Sequence, residues 1–241
     1  YFTEIEPAKR FAQTLGTCVV RADGLAAGKG VVICDNAEQA EHAILSLLGG
    51  RFGAASAEIL VEERISGPEM SVFALLDGPE AVWLGSAQDH KRAFNGDKGP
   101  NTGGMGAISP SPFETNELRT SIMNDIILPV ARGMADEGMP YRGILYAGLM
   151  LTEIGPQIIE FNCRFGDPEA QAILPRLKTD FLSAILTQVE GGLAHFDMQL
   201  FDDVAVTVVM AAKGYPDAYE KGTIIRGAEE SVDGSFVFHA G

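Results

Sequence analysis

Two pairs of apolar runs joined by tight turns constrain this chain most. EMSVFALLDG (69–78) is followed after two residues by AVWLGSAQ (81–88), and RGILYAGLMLTE by GPQIIEFNC around Glu153–Pro156. Each pair reads as an antiparallel hairpin, because β-branched and aromatic runs broken by Gly and Pro have no room for a crossover helix. EILVEE (58–63) adds a strand, and TCVVRA (17–22) and VVIC (31–34) read as a further hairpin around DGLAAGKG. Helices are expected over 3–16, with Thr3 as cap and Gly16 as stop, and over 37–48 behind Asp35 and Asn36. A longer helix is expected over 115–136, where Pro129 should kink it, and a helix pair over about 168–190. Antiparallel hairpins outnumber any βαβ pattern, so the fold class is α+β.

The second hairpin ends oddly. In IIEFNCRFGDPE, Glu160, Asn162 and Arg164 fall on one face of a strand, and Phe161, Cys163 and Phe165 on the other. One face is expected to anchor in the core. The polar face then lines a ligand cleft or forms an internal ion-pair network, since buried charges need partners or metals. Glu and Asn two residues apart offer hard oxygen ligands to Mg²⁺, and an arginine two further on can meet a phosphoryl group.

Other stretches carry weaker signals. RADGLAAGKGV (21–31) has glycines that let backbone N–H groups reach phosphate oxygens, with Arg21 and Lys29 as cations. It departs from a P-loop in spacing, lacks the Ser/Thr and leads into a strand, so a plain glycine-rich turn is the competing reading. The long loop 89–112 has no hydrophobic period and sets His90, Lys91, Arg92 and Lys98 near GPNTGGMGA, which suggests an anion site or a mobile surface loop. VEERISGPEMS places Glu62, Glu63 and Glu69 about a turn, where carboxylates can hold ribose hydroxyls or simply face solvent.

Charge narrows the options. Thirty-three acids against 18 bases give a net charge of −15, which argues against nucleic-acid or anionic-membrane binding. No apolar stretch reaches membrane-spanning length; the longest, VAVTVVMAA (204–212), suits a buried strand. The three cysteines, Cys18, Cys34 and Cys163, fit no zinc template, so core thiols and a cytoplasmic setting are expected. With no signal-peptide pattern at Tyr1 and an abrupt end at FVFHAG, the chain reads as a piece of a longer protein.

The order strand–glycine loop–strand, then EE with GxExS, then a hairpin ending in ExNxR, resembles the ATP-grasp superfamily. ADGLAAGKGV, QDHKR, GPNTGGMGA, YAGLM and EFNCRFGDPE together resemble the phosphoribosylamine–glycine ligase family over essentially the whole chain. That resemblance implies an ATP-grasp fold, two α+β subdomains clasping ATP over 1–194 with a mobile lid at 17–75. It also implies part of a small β-rich carboxy-terminal domain over 195–241 and the absence of the family's amino-terminal domain. It implies an ATP-dependent ligase of purine synthesis that joins glycine to 5-phosphoribosylamine through a glycyl phosphate. Glu160 and Asn162 resemble the ligands of Mg²⁺ (or Mn²⁺), and Arg164 resembles the catalytic arginine facing the transferred phosphate. Arg21, Gly28, Lys29 and Gly30 resemble phosphate contacts; Glu62, Glu63 and Ile65 resemble the adenine hinge; Glu69 resembles the ribose ligand. Lys91, Asn101, Thr102, Gly103, Gly104 and Asp167 resemble the region holding substrate. Two positions depart from the pattern: Arg21 stands where lysine is usual, and YAGLML offers no acid to a metal. Another ATP-grasp carboxylate–amine ligase, or a nucleotide-binding module without catalysis, are the alternatives. The oligomeric state is left open, and a monomer is compatible with everything above.

Overall fold

The structure is a computed structural model and describes residues 1–26, 30–96, 98–230 and 232–240. It divides into two compact units, Tyr1–Ser66 and Gly67–Gly241. The division falls inside the segment 17–75 expected as a lid.

In the first unit, α1 (Ile5–Leu15) leads to β1 (Cys18–Ala22), β2 (Val31–Cys34), α2 (Ala37–Leu48) and β3 (Ile59–Glu63). The strands form an antiparallel sheet of order β2-β1-β3, so the expected hairpin is present with Cys18 opposite Cys34. Asn36 caps α2 by accepting from the Gln39 N–H, and Gly16 ends α1 at φ 75°. The expected Thr3 cap is not formed: Glu4 occupies that position, with no side-chain cap. Both helices pack on one sheet face through Ala8, Ala12, Ala40, Ala43, Ile44 and Leu47. Cys18 and Cys34 are buried there; burial, then the neighbouring Cys18 sulfur, pushes the Cys34 thiol up to about 11.

The second unit is built on a six-stranded sheet of order β10-β9-β4-β5-β8-β11. Its strands are β4 (Glu69–Asp77), β5 (Ala81–Asp89), β8 (Gly106–Ser109), β9 (Arg142–Thr152), β10 (Gly155–Asn162) and β11 (Ala205–Val208). The loop 89–112 is not structureless, because a small hairpin, β6 (Arg92–Phe94) with β7 (Lys98–Asn101), precedes β8. β11 joins the sheet at β8 from beyond the boundary expected near 195.

Alternation along β4 explains the two cores. Met70, Val72, Ala74 and Leu76 pack with Ile122, Ile126, Ile127 and Ala131 of the long helical segment. That segment runs as α3 (Asn116–Ile122), a π-helical stretch Met123–Ile127 and α4 (Leu128–Asp136). The widened turn spans Asp125, the residue four before Pro129 whose carbonyl the proline ring would strike in a regular helix. Phe73 and Leu75 face the other way, against Ile173 of α5 (Glu169–Ile173) and Ala184 of α6 (Phe181–Glu190). The strand is buried on both faces, which is why it reads as one continuous apolar run. Among the described residues, no helix is long and apolar enough to cross a membrane.

Candidate active site

β10 is the edge strand next to β9, and its register shifts by a bulge between Ile158 and Glu160. After the bulge Glu160 lies opposite Gly148 and Asn162 opposite Tyr146. The polar face holds as expected: Asn162 Nδ2 donates to Glu160 Oε1 at 3.1 Å. The apolar face does not. Phe161 and Cys163 are exposed rather than anchored in the core, and β10 has a neighbour on one side of the sheet alone. Only Phe165 enters the core, packed on Phe73 and Phe181 with ring centroids 5.8 and 6.1 Å apart.

A buried ion network at this strand is not what forms. Glu160 and Arg164 are exposed, and among the described residues neither makes an ion pair. Arg164 donates to the Phe165 carbonyl at 2.8 Å. Glu160 and Asn162 suit a small hard cation in donor type, a carboxylate and an amide carbonyl two positions apart on one strand; the contact between them runs through the amide nitrogen of Asn162. No group of three or more His, Cys, Asp or Glu is arranged to hold a metal among the described residues.

Beneath this edge lies a polar floor that the sequence reading missed. Ser71 of β4 donates to Glu169 Oε1 at 3.2 Å and lies 3.1 Å from the Tyr146 hydroxyl of β9. Glu169 is only 4% exposed, so its carboxyl group is held inside the unit. It lies so close to Gly166 that a Cβ there would stand 2.2 Å from Oε2, so a side chain at that position would displace the Glu169 carboxyl group. A small cleft of about 20 Å³ is lined by Glu69, Ser71, Lys91, Tyr146, Gly148 and Glu160. Burial, followed by the Glu169 and Glu160 charges, holds the Tyr146 hydroxyl above its ordinary range against the Ser71 bond and Lys91. The signal was present: a serine and a tyrosine inside otherwise apolar strands, both facing one side of the sheet.

The loop that follows β5 converges on the same region. Lys91 Nζ pairs with Glu69 Oε2 at 2.8 Å. The Lys91 carbonyl accepts from both the backbone N–H and the hydroxyl of Thr102, and Thr102 Oγ1 accepts from Gly104 N–H at 3.0 Å. Gly103 N–H reaches the Tyr215 hydroxyl at 3.2 Å. Gly104, at φ 127°, leaves no room for a side chain: a Cβ there would run into Pro168, Asp89 and the Asp167 carbonyl. Lys91, Thr102, Gly103, Gly104 and Asp167 are therefore brought together, with Asp167 exposed and accepting from Gln171. Asn101 ends β7 opposite Arg92 and faces solvent.

In the first unit, Arg21 on β1 pairs with Glu62 on β3, Nε to Oε2 3.5 Å. Glu63 is exposed and Ile65 half-buried in the segment that follows β3. Gly30 is buried, its carbonyl accepting from the Ala22 N–H. Gly28 and Lys29 lie outside the described residues. Glu69, expected as a ribose ligand, falls in the second unit and is held by Lys91.

Comparison with known proteins bears on this arrangement. A family model described as phosphoribosylglycinamide synthetase, ATP-grasp (A) domain, matches residues 1–170, and one described as the C domain of the same synthetase matches residues 205–241. Phosphoribosylamine–glycine ligase of Mesorhizobium japonicum is 50% identical over 242 residues, covering 100% of this chain and 57% of its own length. Its namesake from Brucella melitensis is 50% identical over 243 residues with the same coverage. The chain thus spans just over half the length of the curated relatives it matches. The crystal structure of phosphoribosylamine–glycine ligase from Thermotoga maritima has a TM-score of 0.80 and 36% identity, over 90% of this chain and 55% of that one. With a model covering most of the chain and the ExNxR edge strand in place, the chain belongs to the phosphoribosylglycinamide synthetase family and has its ATP-grasp fold.

Proposed function

We propose that the full-length protein is an ATP-dependent ligase that joins glycine to 5-phosphoribosylamine. The observation that carries this is the Glu160–Asn162 pair with Arg164 beyond it, solvent-facing at the end of an edge strand and free of any structural ion pair among the described residues. Membership of the family supplies the substrates, since the relatives at 50% identity are phosphoribosylamine–glycine ligases.

A glycine carboxylate is a poor acyl donor until one of its oxygens carries phosphate. In the first step that oxygen attacks the γ-phosphorus of ATP, ADP leaves, and a glycyl phosphate forms. In the second the amine of phosphoribosylamine attacks the acyl carbon and inorganic phosphate departs. Arg164 offers a planar fork to the oxygens of the transferring phosphoryl group, where charge spreads in a loose transition state. Glu160 and Asn162 would hold Mg²⁺ or Mn²⁺, which supplies charge neutralisation at the phosphates when bound. Arg21, Gly28, Lys29, Gly30, Glu62, Glu63, Ile65 and Glu69 serve the nucleotide, and Lys91, Asn101, Thr102, Gly103, Gly104 and Asp167 the substrates. Of the segment 17–75 expected as a lid, the part up to Ser66 acts as the lid that keeps water from the acyl phosphate, since the residues from Glu69 onward form β4, a buried strand of the second unit.

The test is ADP release by the full-length protein. Release that requires both glycine and 5-phosphoribosylamine supports the reading. Release with another carboxylate or amine at comparable kcat/KM assigns a different ATP-grasp ligase, and ATP binding without release under any pairing assigns a non-catalytic module.

A further inference from the structure

Beyond β11 the chain runs back along the loop that joins β7 to β8. β11 pairs with β8 from Ala205 opposite Ser109 to Val208 opposite Gly106, and the next residue, Val209, donates its N–H to the Met105 carbonyl at 3.0 Å. Two tight turns follow, one closed by Tyr215 N–H on the Ala212 carbonyl and one by Asp217 N–H on the Gly214 carbonyl. Gly214 sits at φ 105°, and a Cβ there would stand 2.6 Å from the Ala218 carbonyl oxygen, so the second turn closes on a residue without a side chain. The half-buried Tyr215 ring stands edge-on to Tyr219, with centroids 6.0 Å apart.

These turns deliver the Tyr215 hydroxyl to Gly103, whose N–H it accepts across 112 positions of sequence. Each backbone N–H of the Thr102–Gly104 stretch is thereby held. Thr102 donates to the Lys91 carbonyl, Gly104 to Thr102 Oγ1 and Gly103 to Tyr215. The first two acceptors belong to the loop that follows β5; the third comes from the carboxy-terminal segment. Gly103 is exposed and has no side chain to anchor it, and a glycine loses more conformational freedom on ordering than any other residue. An outside hydrogen bond at that peptide therefore decides how well its orientation is kept.

We infer that Tyr215 is a positioning residue for the substrate site: its hydroxyl fixes the Thr102–Gly103 peptide, so that the carboxy-terminal segment helps to shape the loop that receives substrate. The role rests on the ligase reading above, which puts Thr102, Gly103 and Gly104 at the substrates. It acts through the loop and not on the reacting atoms, so it belongs to substrate binding and leaves the nucleotide alone.

The experiment uses the full-length protein and Tyr215→Phe, which keeps the ring beside Tyr219 and removes the hydroxyl. Steady-state kinetics with glycine, 5-phosphoribosylamine and ATP varied in turn gives three KM values. One hydrogen bond of ordinary net strength is worth about two- to tenfold in an equilibrium constant, so the KM of glycine or of 5-phosphoribosylamine should rise about three- to tenfold. The KM of ATP and kcat should stay within about twofold, and the melting temperature within about 2 °C, because the lost bond is at an exposed peptide. Whichever substrate responds is the one the loop holds. Tyr219→Phe removes a hydroxyl that takes no part in the bond to Gly103 and should leave all three KM values where they are. Unchanged KM values in Tyr215→Phe, equal changes in the two variants, or three KM values rising together with a lowered melting temperature would each overturn the role. Wild-type enzyme that forms no amide from these substrates refutes the ligase reading, and this role with it.

Discussion

Replacing Gly104 by alanine tests how the loop between β7 and β8 is assembled. The new methyl would stand 2.3 Å from the Pro168 ring, 3.0 Å from Asp89 Oδ1 and 3.2 Å from the Asp167 carbonyl, on a backbone at φ 127°. The proline ring and the carbonyl belong to a stiff segment, so none of these atoms can swing away as the tip of a long side chain could. Residues forced into such backbone conformations cost about 1–3 kcal/mol, and overpacking costs a similar amount. Part of the two overlaps, because one backbone shift relieves both, and a loss of about 3 kcal/mol is expected. For a unit of this size about 2–4 °C of melting temperature accompanies each kcal/mol, giving a drop of about 6–12 °C. Gly103→Ala is the control next door. Its methyl would meet only the Tyr215 hydroxyl, at 3.5 Å, an ordinary contact, so the change should stay within about 0.5 kcal/mol. Calorimetric melting of the two variants beside wild type is the assay. Equal melting temperatures, or a larger loss for Gly103→Ala, would refute the packing described around Gly104.

Three other outcomes are expected. Glu160→Ala should abolish most metal-dependent ATP turnover while the melting temperature stays near wild type, since the side chain is exposed; unchanged turnover at limiting Mg²⁺ would remove the metal assignment. Arg164→Lys should lower kcat by roughly 10²-fold with little change in ATP affinity, because a point charge replaces a fork at the developing phosphoryl charge; a large loss of stability with near-normal kcat would contradict it. Asp89→Asn should be more stabilising at pH 8 than at pH 4. The folded carboxyl titrates above its unfolded value, so the folded state binds more protons and wild-type stability falls as pH rises from about 3.8 to about 7. A melting difference that is the same at both pH values would contradict that sign.

Much of this fold is legible in the sequence because alternation and turns are local signals. The hairpins β4–β5 and β9–β10 and the capped helix α2 follow from residues that lie close along the chain. Phe161 and Cys163 were misjudged for a reason beyond local pattern: alternation says which side a residue faces, but not whether anything covers that side. β10 lies at the sheet edge, and that is a property of strand order. The hairpin of β6 and β7 was hidden because RAF and KGPN carry no apolar alternation and are shaped by backbone bonds. β11 with β8 is a pairing between distant segments, invisible to any window. Asp89 and Glu169 lie eighty positions apart, and the groups beside them, Gly104 next to Asp89 and Ser71 and Gly166 next to Glu169, come from segments scattered along the chain. Glu160, Asn162 and Arg164 at the end of β10 could be singled out early because an acid, an amide and a guanidinium at alternate positions is a local pattern. The buried Glu169 could not.

The most direct test of the central claim follows oxygen rather than rate. If a glycine carboxylate oxygen attacks the γ-phosphorus, that oxygen stays with phosphorus when the acyl bond to it breaks. Full-length enzyme turning over glycine labelled with ¹⁸O in both carboxylate positions, with ATP and 5-phosphoribosylamine, should release inorganic phosphate carrying a single ¹⁸O per turnover by mass spectrometry. Phosphate released without label, while amide accumulates, would contradict the glycyl phosphate route.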